Sequence, residues 1–170
     1  GCGGWPGSMS RTRLPADQIL SLLAAAPGLI AAATAGLSSE QLRTAPAPGE
    51  WSANDILAHL RACADVWGGC IATILAEDHP TIRAINPRAW MKRTDYPQQE
   101  FRVSLQAYTA QREALVAVLE ALPPVAWARA ATVKGAGKPL ERTVLGYADS
   151  LAVHERAHLK QMARVAAAMM

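Results

Sequence analysis

The sequence predicts an all-α protein: a four-helix bundle with a long crossover between its second and third helices and a small hairpin before the last. Three observations carry this. Aromatic residues make up only 5% of the chain, whereas Ala, Leu, Gln, Glu and Arg abound, and that balance favours helices over strands. Four stretches place apolar residues at helical spacing, with Pro and Gly between them. The link from Asp78 to Pro97 contains Pro80, Pro87 and Pro97 and is long enough to carry the chain from one end of a bundle to the other. Such a link lets the second and third helices run parallel.

A chain of 170 residues suffices for one domain whose core needs no staples. Residues Gly1 to Ser8 carry no charge and no periodicity. Gly7-Ser8-Met9 reads as a cloning scar or disordered tail before a native start at Met9, so these residues, Cys2 included, are set apart from a single domain over 9–170. No signal-peptide pattern follows Met9, which makes the cytoplasm the expected location. The net charge is +3, and its scattered distribution gives little support to nucleic-acid binding. Pro27, Gly28 and Thr34 interrupt the nearest candidate for a membrane span, so no membrane partner is expected.

The first helix is expected over Pro15 to Ala35, with Ile19, Leu22, Leu23, Ala26, Ile30 and Ala33 on its apolar side. Pro27 inside it should kink or restart the helix, and Gly36 should end it. A connector from Ser38 to Gly49 has room for one short turn. The second helix has the clearest start in the chain: Ser52 and Asp55 form a capping-box pattern, and Trp51 and Ile56 can staple across it. Its stripe runs Ile56, Leu60, Cys63, Trp67, Cys70, Ile74, with His59 at the edge. Cys63 and Cys70 are separated by roughly 10 Å of helical rise, too far for a disulfide, and read as small core residues.

Arg83, Arg88, Lys92 and Arg93 make the crossover basic, either as a solvated loop or as a rim that attracts an anionic substrate. His79 in this loop lies off any apolar face and is left out of the site. The third helix is expected from Asp95 to Leu122, with a seam of Phe101, Leu105, Tyr108, Arg112, Leu115, Leu119 and Leu122. Arg112 on that seam must snorkel outward, pair with an acidic side chain, or face a cavity and bind an anionic group. After Pro123-Pro124, the stretch from Trp127 to Lys138 with its Gly135-Ala-Gly137 turn reads as a hairpin.

The last helix starts near Thr143 and has neither Gly nor Pro from Tyr147 to Met170. His154 and His158 project from one face with β-carbons about 5–6 Å apart, in a stripe shared by Tyr147, Leu151, Met162 and Val165. Unpaired buried imidazoles are costly, and a shared cation relieves that cost. The bland alternative is a pair of core histidines bonded to carbonyls or water. With His59 on the facing stripe, three histidines can converge on one ion and leave a coordination position open, as catalytic sites do. No Cys-x-x-Cys pair favours a closed structural site.

The stretches Gly49-Glu-Trp-Ser-Ala-Asn-Asp-Ile-Leu-Ala-His-Leu60 and His154-Glu-Arg-Ala-His-Leu-Lys-Gln-Met162, with Arg112 between them, resemble the DinB-like (DinB/YfiT) metalloenzyme family. The resemblance runs from the first helix onward. It implies a four-helix bundle with a long crossover and one divalent metal held by three histidines, which by position are His59, His154 and His158. Zinc and nickel both suit three imidazoles. Family members include S-transferases and an isomerase that use low-molecular-weight thiols such as bacillithiol or mycothiol. The expected function is therefore metal-dependent thiol S-transfer or a related hydrolysis on a small-molecule substrate, with a thiol as cosubstrate and a homodimer as the assembly to test.

Two other readings compete. His154-Glu155-x-x-His158 matches the zinc-peptidase pattern, with Glu155 as general base. Yet the twelve residues after His158 include no His, Asp, Glu or Cys to complete such a site. A helical bundle without metal or catalysis is the other. Glu155 lies at the flank of the histidine stripe, where it would be either a partner behind the ligands or a surface charge near Arg156 or Lys160. Arg112 and Glu155 are thus the candidate catalytic residues beside the three ligands.

Overall fold

The computed structural model describes residues 12–170, so the expectations for Gly1–Ser8, Cys2 and Met9 lie outside the described residues. In chain order the elements are helices α1 (Ala16–Thr34), α2 (Ser39–Arg43) and α3 (Ala53–Ala76), strand β1 (Thr81–Arg83), and helices α4 (Pro87–Lys92) and α5 (Phe101–Glu120). Strands β2 (Ala130–Lys134) and β3 (Leu140–Thr143) and helix α6 (Val144–Ala168) complete them. The bundle consists of α1, α3, α5 and α6, as the sequence predicts.

Helix starts follow side-chain chemistry. Ser52 and Asp55 form the expected reciprocal capping box on α3, and Ser38 and Gln41 form another on α2. Thr143 caps α6 through the Gly146 amide. The third bundle helix begins later than Asp95. Tyr96–Gln98 form a 3-10 turn, and Glu100 accepts from the Val103 amide at 3.1 Å to start α5 at Phe101.

Helix α1 also departs from expectation, because it runs unbroken through Pro27. A proline lacks the N–H that would bond the carbonyl four residues back, here that of Leu23. Arg112 of α5 fills the gap, its Nη1 donating to the Leu23 carbonyl at 3.1 Å. With no break at Pro27, α1 is long and apolar enough by composition to cross a membrane, contrary to the sequence expectation. Its inner side chains Ile19, Leu23, Ala26 and Ile30 are fully buried in the bundle.

The crossover does set α3 and α5 parallel. Asn54 bonds the Gln99 carbonyl, Arg61 bonds Ser104, and Asp65 bonds Gln111, so the residue numbers rise together along both helices. The crossover is more structured than a bare connector. Its β1 pairs parallel with β2 (Thr81 with Thr132, Arg83 with Lys134), and β2 pairs antiparallel with β3, so the expected hairpin becomes a three-stranded sheet. Gly135 and Gly137, at φ of 95° and 84°, make the hairpin turn that residues with a Cβ adopt at a cost.

Two apolar clusters fill the interior. One gathers Trp67, Ile71 and Ile74 with Ala131 and Val133 of the sheet and Tyr147 and Leu151. The other gathers Ile30, Leu42, Ile56, Leu60, Phe101, Tyr108, Met162 and Val165. Tyr147, Leu151, Met162 and Val165 are all buried, as their shared stripe on α6 predicts. Because that stripe feeds both clusters, the histidines it carries fall between them.

Candidate metal centre

The capping box at Ser52 sets where α3 begins, and seven residues on His59 is completely buried against α6. There it meets the pair whose four-residue spacing puts both rings on one helical face. His59 Nε2 lies 3.4 Å from His154 Nε2, and His154 Nε2 lies 3.2 Å from His158 Nε2. The ring centroids are 4.5–5.1 Å apart. The structure therefore brings together the three histidines singled out in the sequence. His79 is elsewhere, bonded to Thr132 and Glu141 on the sheet.

Three surroundings tune the cluster. Gln161 accepts a hydrogen bond from His158 Nδ1 at 2.8 Å. An amide oxygen can only accept, so Nδ1 carries the hydrogen and Nε2 keeps its lone pair for a ligand. Aromatic rings wall the site: Trp51 lies 5.1 Å from His59 and stacks toward His158 at 6.4 Å, and Trp67 meets His154 edge-on at 5.2 Å. Trp51 also packs against the cluster containing Ile56, so the residue expected to staple α3 serves the site as well. Arg88, at the first turn of α4, lies over the Trp51 ring at 4.8 Å.

These surroundings hold the imidazoles neutral. Burial lowers His59 to about 3, with the other two histidines and Arg88 adding to the effect. Burial lowers His154 to about 4, again reinforced by His158 and Arg88. Burial also lowers His158, against the opposing pull of the Gln161 bond. Of the four basic residues on the crossover, Arg88 thus brings its charge to the site, while Arg93 rests over Trp90. Neutral imidazoles with the Nε2 of His154 in contact with those of His59 and His158 are the kind of donor set that divalent zinc or nickel binds, so the residues fit the ion.

Cys63 was read from the sequence as a core residue only. Its Sγ lies 3.6 Å from His59 Nε2, and the ligand atoms of His59, Cys63 and His154 all fall within 4.8 Å of one another. The available signal was its spacing: Cys63 follows His59 by four residues, just as His158 follows His154.

Arg112 and Glu155 answer the remaining questions. Glu155 is 2% exposed, not a surface charge near Arg156 or Lys160. Its carboxylate is gripped by both terminal nitrogens of Arg112, with Nη1–Oε1 at 2.6 Å and a second, shorter contact from Nη2 to Oε2. Tyr108 donates to Oε1 at 3.0 Å. Arg112 is therefore paired, the second of the three roles open to it. The peptidase role asks Glu155 to take a proton from water at the metal, and both of its oxygens are engaged elsewhere.

The profile of the DinB superfamily matches residues 22–162. The chain belongs to the DinB superfamily. Among solved structures it is similar to YfiT from Bacillus subtilis, described as a probable metal-dependent hydrolase with an unusual four-helix bundle topology. The two share 20% identity at a TM-score of 0.68, over 92% of this chain and 91% of that one. At that identity the likeness speaks for the fold, and the DinB bundle with its crossover is the architecture found here. No curated protein matches the chain.

Proposed function

We propose that this DinB-superfamily chain is a divalent-metal-dependent enzyme whose ion is held by His59, His154 and His158, and that it transfers a low-molecular-weight thiol to a small electrophilic substrate. One observation carries the reading: three imidazoles from two helices converge, with His154 Nε2 3.4 Å from that of His59 and 3.2 Å from that of His158, in rings kept neutral by burial. Neutral ligands leave a divalent ion its full charge, with which it acidifies a bound thiol or water and polarises a carbonyl.

The chain's own residues prepare the place for that chemistry. Gln161 orients His158, and Trp51 and Trp67 exclude water from two sides of the cluster. Arg88 supplies a positive charge that draws an anionic substrate group toward the imidazoles. Hydrolysis is the second reading, favoured by the description of YfiT and served by the same site. The peptidase reading is not adopted, because Glu155 is spent on Arg112 and Tyr108.

The test is metal content by elemental analysis of protein purified without a metal-affinity column, for wild type and each His→Ala variant. Metal-loaded protein is then assayed with a panel of cellular thiols and a chloro-nitro-arene or an epoxide, beside ester and amide substrates. One ion per chain, lost with His59→Ala, and thiol conjugation are expected. A wild type that neither contains nor takes up zinc, nickel, manganese or iron overturns the reading. Metal-dependent ester or amide cleavage without conjugation transfers it to hydrolysis.

A further inference from the structure

We propose that Cys63 is a fourth ligand, so that one helical turn of α3 and one of α6 each supply an i,i+4 pair to a tetrahedral His3Cys centre selective for zinc. This rests on the three-histidine reading and adds to it a ligand, a geometry and a choice of metal.

The argument is geometric first. Around a tetrahedral zinc ion, with nitrogen ligands at about 2.0–2.1 Å and sulfur at about 2.3 Å, adjacent nitrogens lie roughly 3.3 Å apart and a nitrogen and sulfur roughly 3.6 Å. The contacts found are 3.4 Å for His59–His154, 3.2 Å for His154–His158 and 3.6 Å for His59–Cys63. Three of the six edges of a tetrahedron are therefore present at coordination length. His158 meets the Nε2 of His154 but stands outside the 4.8 Å group of His59, Cys63 and His154, so it must turn its ring inward to close the rest. Cys63 closes onto His154 as well, within 4.8 Å. A thiol that only filled space in the core would meet carbon; this one has its sulfur at a ligand nitrogen and is fully buried.

The chemistry agrees. Among the described residues neither Cys63 nor Cys70 forms a disulfide, so the Cys63 sulfur keeps the thiol chemistry of a ligand. A thiolate would bring one negative charge to three neutral imidazoles and offset half the charge of a divalent ion. Sulfur and imidazole together favour zinc over manganese or magnesium, which prefer oxygen. With four protein ligands, an incoming substrate must add a fifth bond or replace the sulfur. The site would then rest closed and open on demand.

Cobalt(II) loading reads this directly, since a thiolate bound to cobalt gives a charge-transfer band in the near ultraviolet. Wild type is expected to bind one equivalent and show the band. Cys63→Ser should lose the band while the histidines still bind one equivalent, and Cys70→Ser should keep it. Zinc X-ray absorption on wild type, which needs no variant, should show one sulfur at about 2.3 Å beside the nitrogen shell. Cobalt bound without the band, a band that survives Cys63→Ser, or a zinc spectrum without sulfur overturns the proposal and leaves the three-histidine reading standing. If wild type binds neither ion, both fall together.

Discussion

Two buried polar groups share the middle of the bundle, and consecutive residues of α6 belong to one each. Glu155 is locked to Arg112, with Tyr108 as a further donor and the Leu23 carbonyl receiving the guanidinium's remaining reach. Every charge there has its opposite. His154 belongs to the other group, three imidazoles and a thiol whose donor atoms face one another with no acidic side chain among them. The first group balances its charges within the chain, leaving only the buried Arg112 Nε without a partner, and so reads as architecture. The second is a set of neutral donors of the kind a divalent cation binds, and so is the group on which the proposed function rests. The lesson is that a buried polar cluster is best sorted by whether its own members satisfy it.

The comparison breaks most sharply at Arg112. Arg112→Leu leaves the Glu155 carboxylate buried without its cation and should cost about 3–5 kcal/mol. At roughly 2–4 °C per kcal/mol for a domain of this size, melting should fall by about 6–20 °C. Pairing Arg112→Met with Glu155→Leu should recover most of the loss, because apolar replacement of a whole buried pair is nearly neutral. A single variant that melts like wild type would show that the pair carries no structural weight.

The histidine group should respond to metal instead. Zinc at one hundred times its dissociation constant should stabilise wild type by about 2.7 kcal/mol, while His154→Ala shows no such gain. Acid should undo this in a defined direction. The folded imidazoles titrate below their ordinary 6.5, His59 at about 3 and His154 at about 4. The unfolded chain therefore binds more protons throughout that window. Metal-free stability is full above pH 6.5 and is lost as pH falls toward those values, and zinc dissociates over the same range. Melting curves from pH 7 to pH 4, with and without zinc, check both, and a metal-free melt that is flat across that range would contradict the burial of the rings.

The smallest effect sharpens the boundary of the first group. A proline inside a helix ordinarily costs about 3 kcal/mol. Since Arg112 already satisfies the Leu23 carbonyl, Pro27→Ala should recover less than about 1 kcal/mol. Chemical denaturation measures it, and recovery of the full amount would mean that Arg112 does not compensate for the missing N–H.

How much of this was legible in the sequence depended on the range of the interaction. The α3 start was legible because Ser52 and Asp55 satisfy each other three residues apart. The facing of His154 and His158 follows from four-residue spacing, and Arg112 announced itself by interrupting an apolar seam. The sequence left Glu155 open between a partner behind the ligands and a surface charge, because its partner is 43 positions away and only the fold shows that its flank of α6 meets α5 rather than solvent. Strand β1 was missed for the same reason: three residues with no alternating pattern become a strand only through pairing with β2, some fifty positions on. Cys63 had a local signal, the same i,i+4 spacing as the histidine pair, yet a cysteine on an apolar stripe is usually core. What no one-dimensional pattern contains is its distance to His154 across the bundle, within 4.8 Å.

The Asp65 carboxylate has a consequence for how fast the site can exchange its contents. It accepts from Gln111 at 2.9 Å on α5 and, in the crossover, from Trp90 Nε1 at 3.0 Å and the Tyr96 hydroxyl at 2.6 Å. Arg61, one turn earlier on α3, lies over the Tyr96 ring at 3.7 Å and bonds Gln99. The crossover segment that carries Arg88 is thereby strapped to α3 at several points, including Trp90, two residues after that arginine. A strapped rim does not swing aside as a lid, so entry and departure are paced by rotation of single side chains such as Trp51 and Arg88. Trp51 and Arg88 are half-buried, so their rotamer changes are slower than the picoseconds to nanoseconds of exposed side chains, but they need no loop or domain opening. Gating by a moving crossover then sets no microsecond-to-millisecond step for exchange at the histidine cluster.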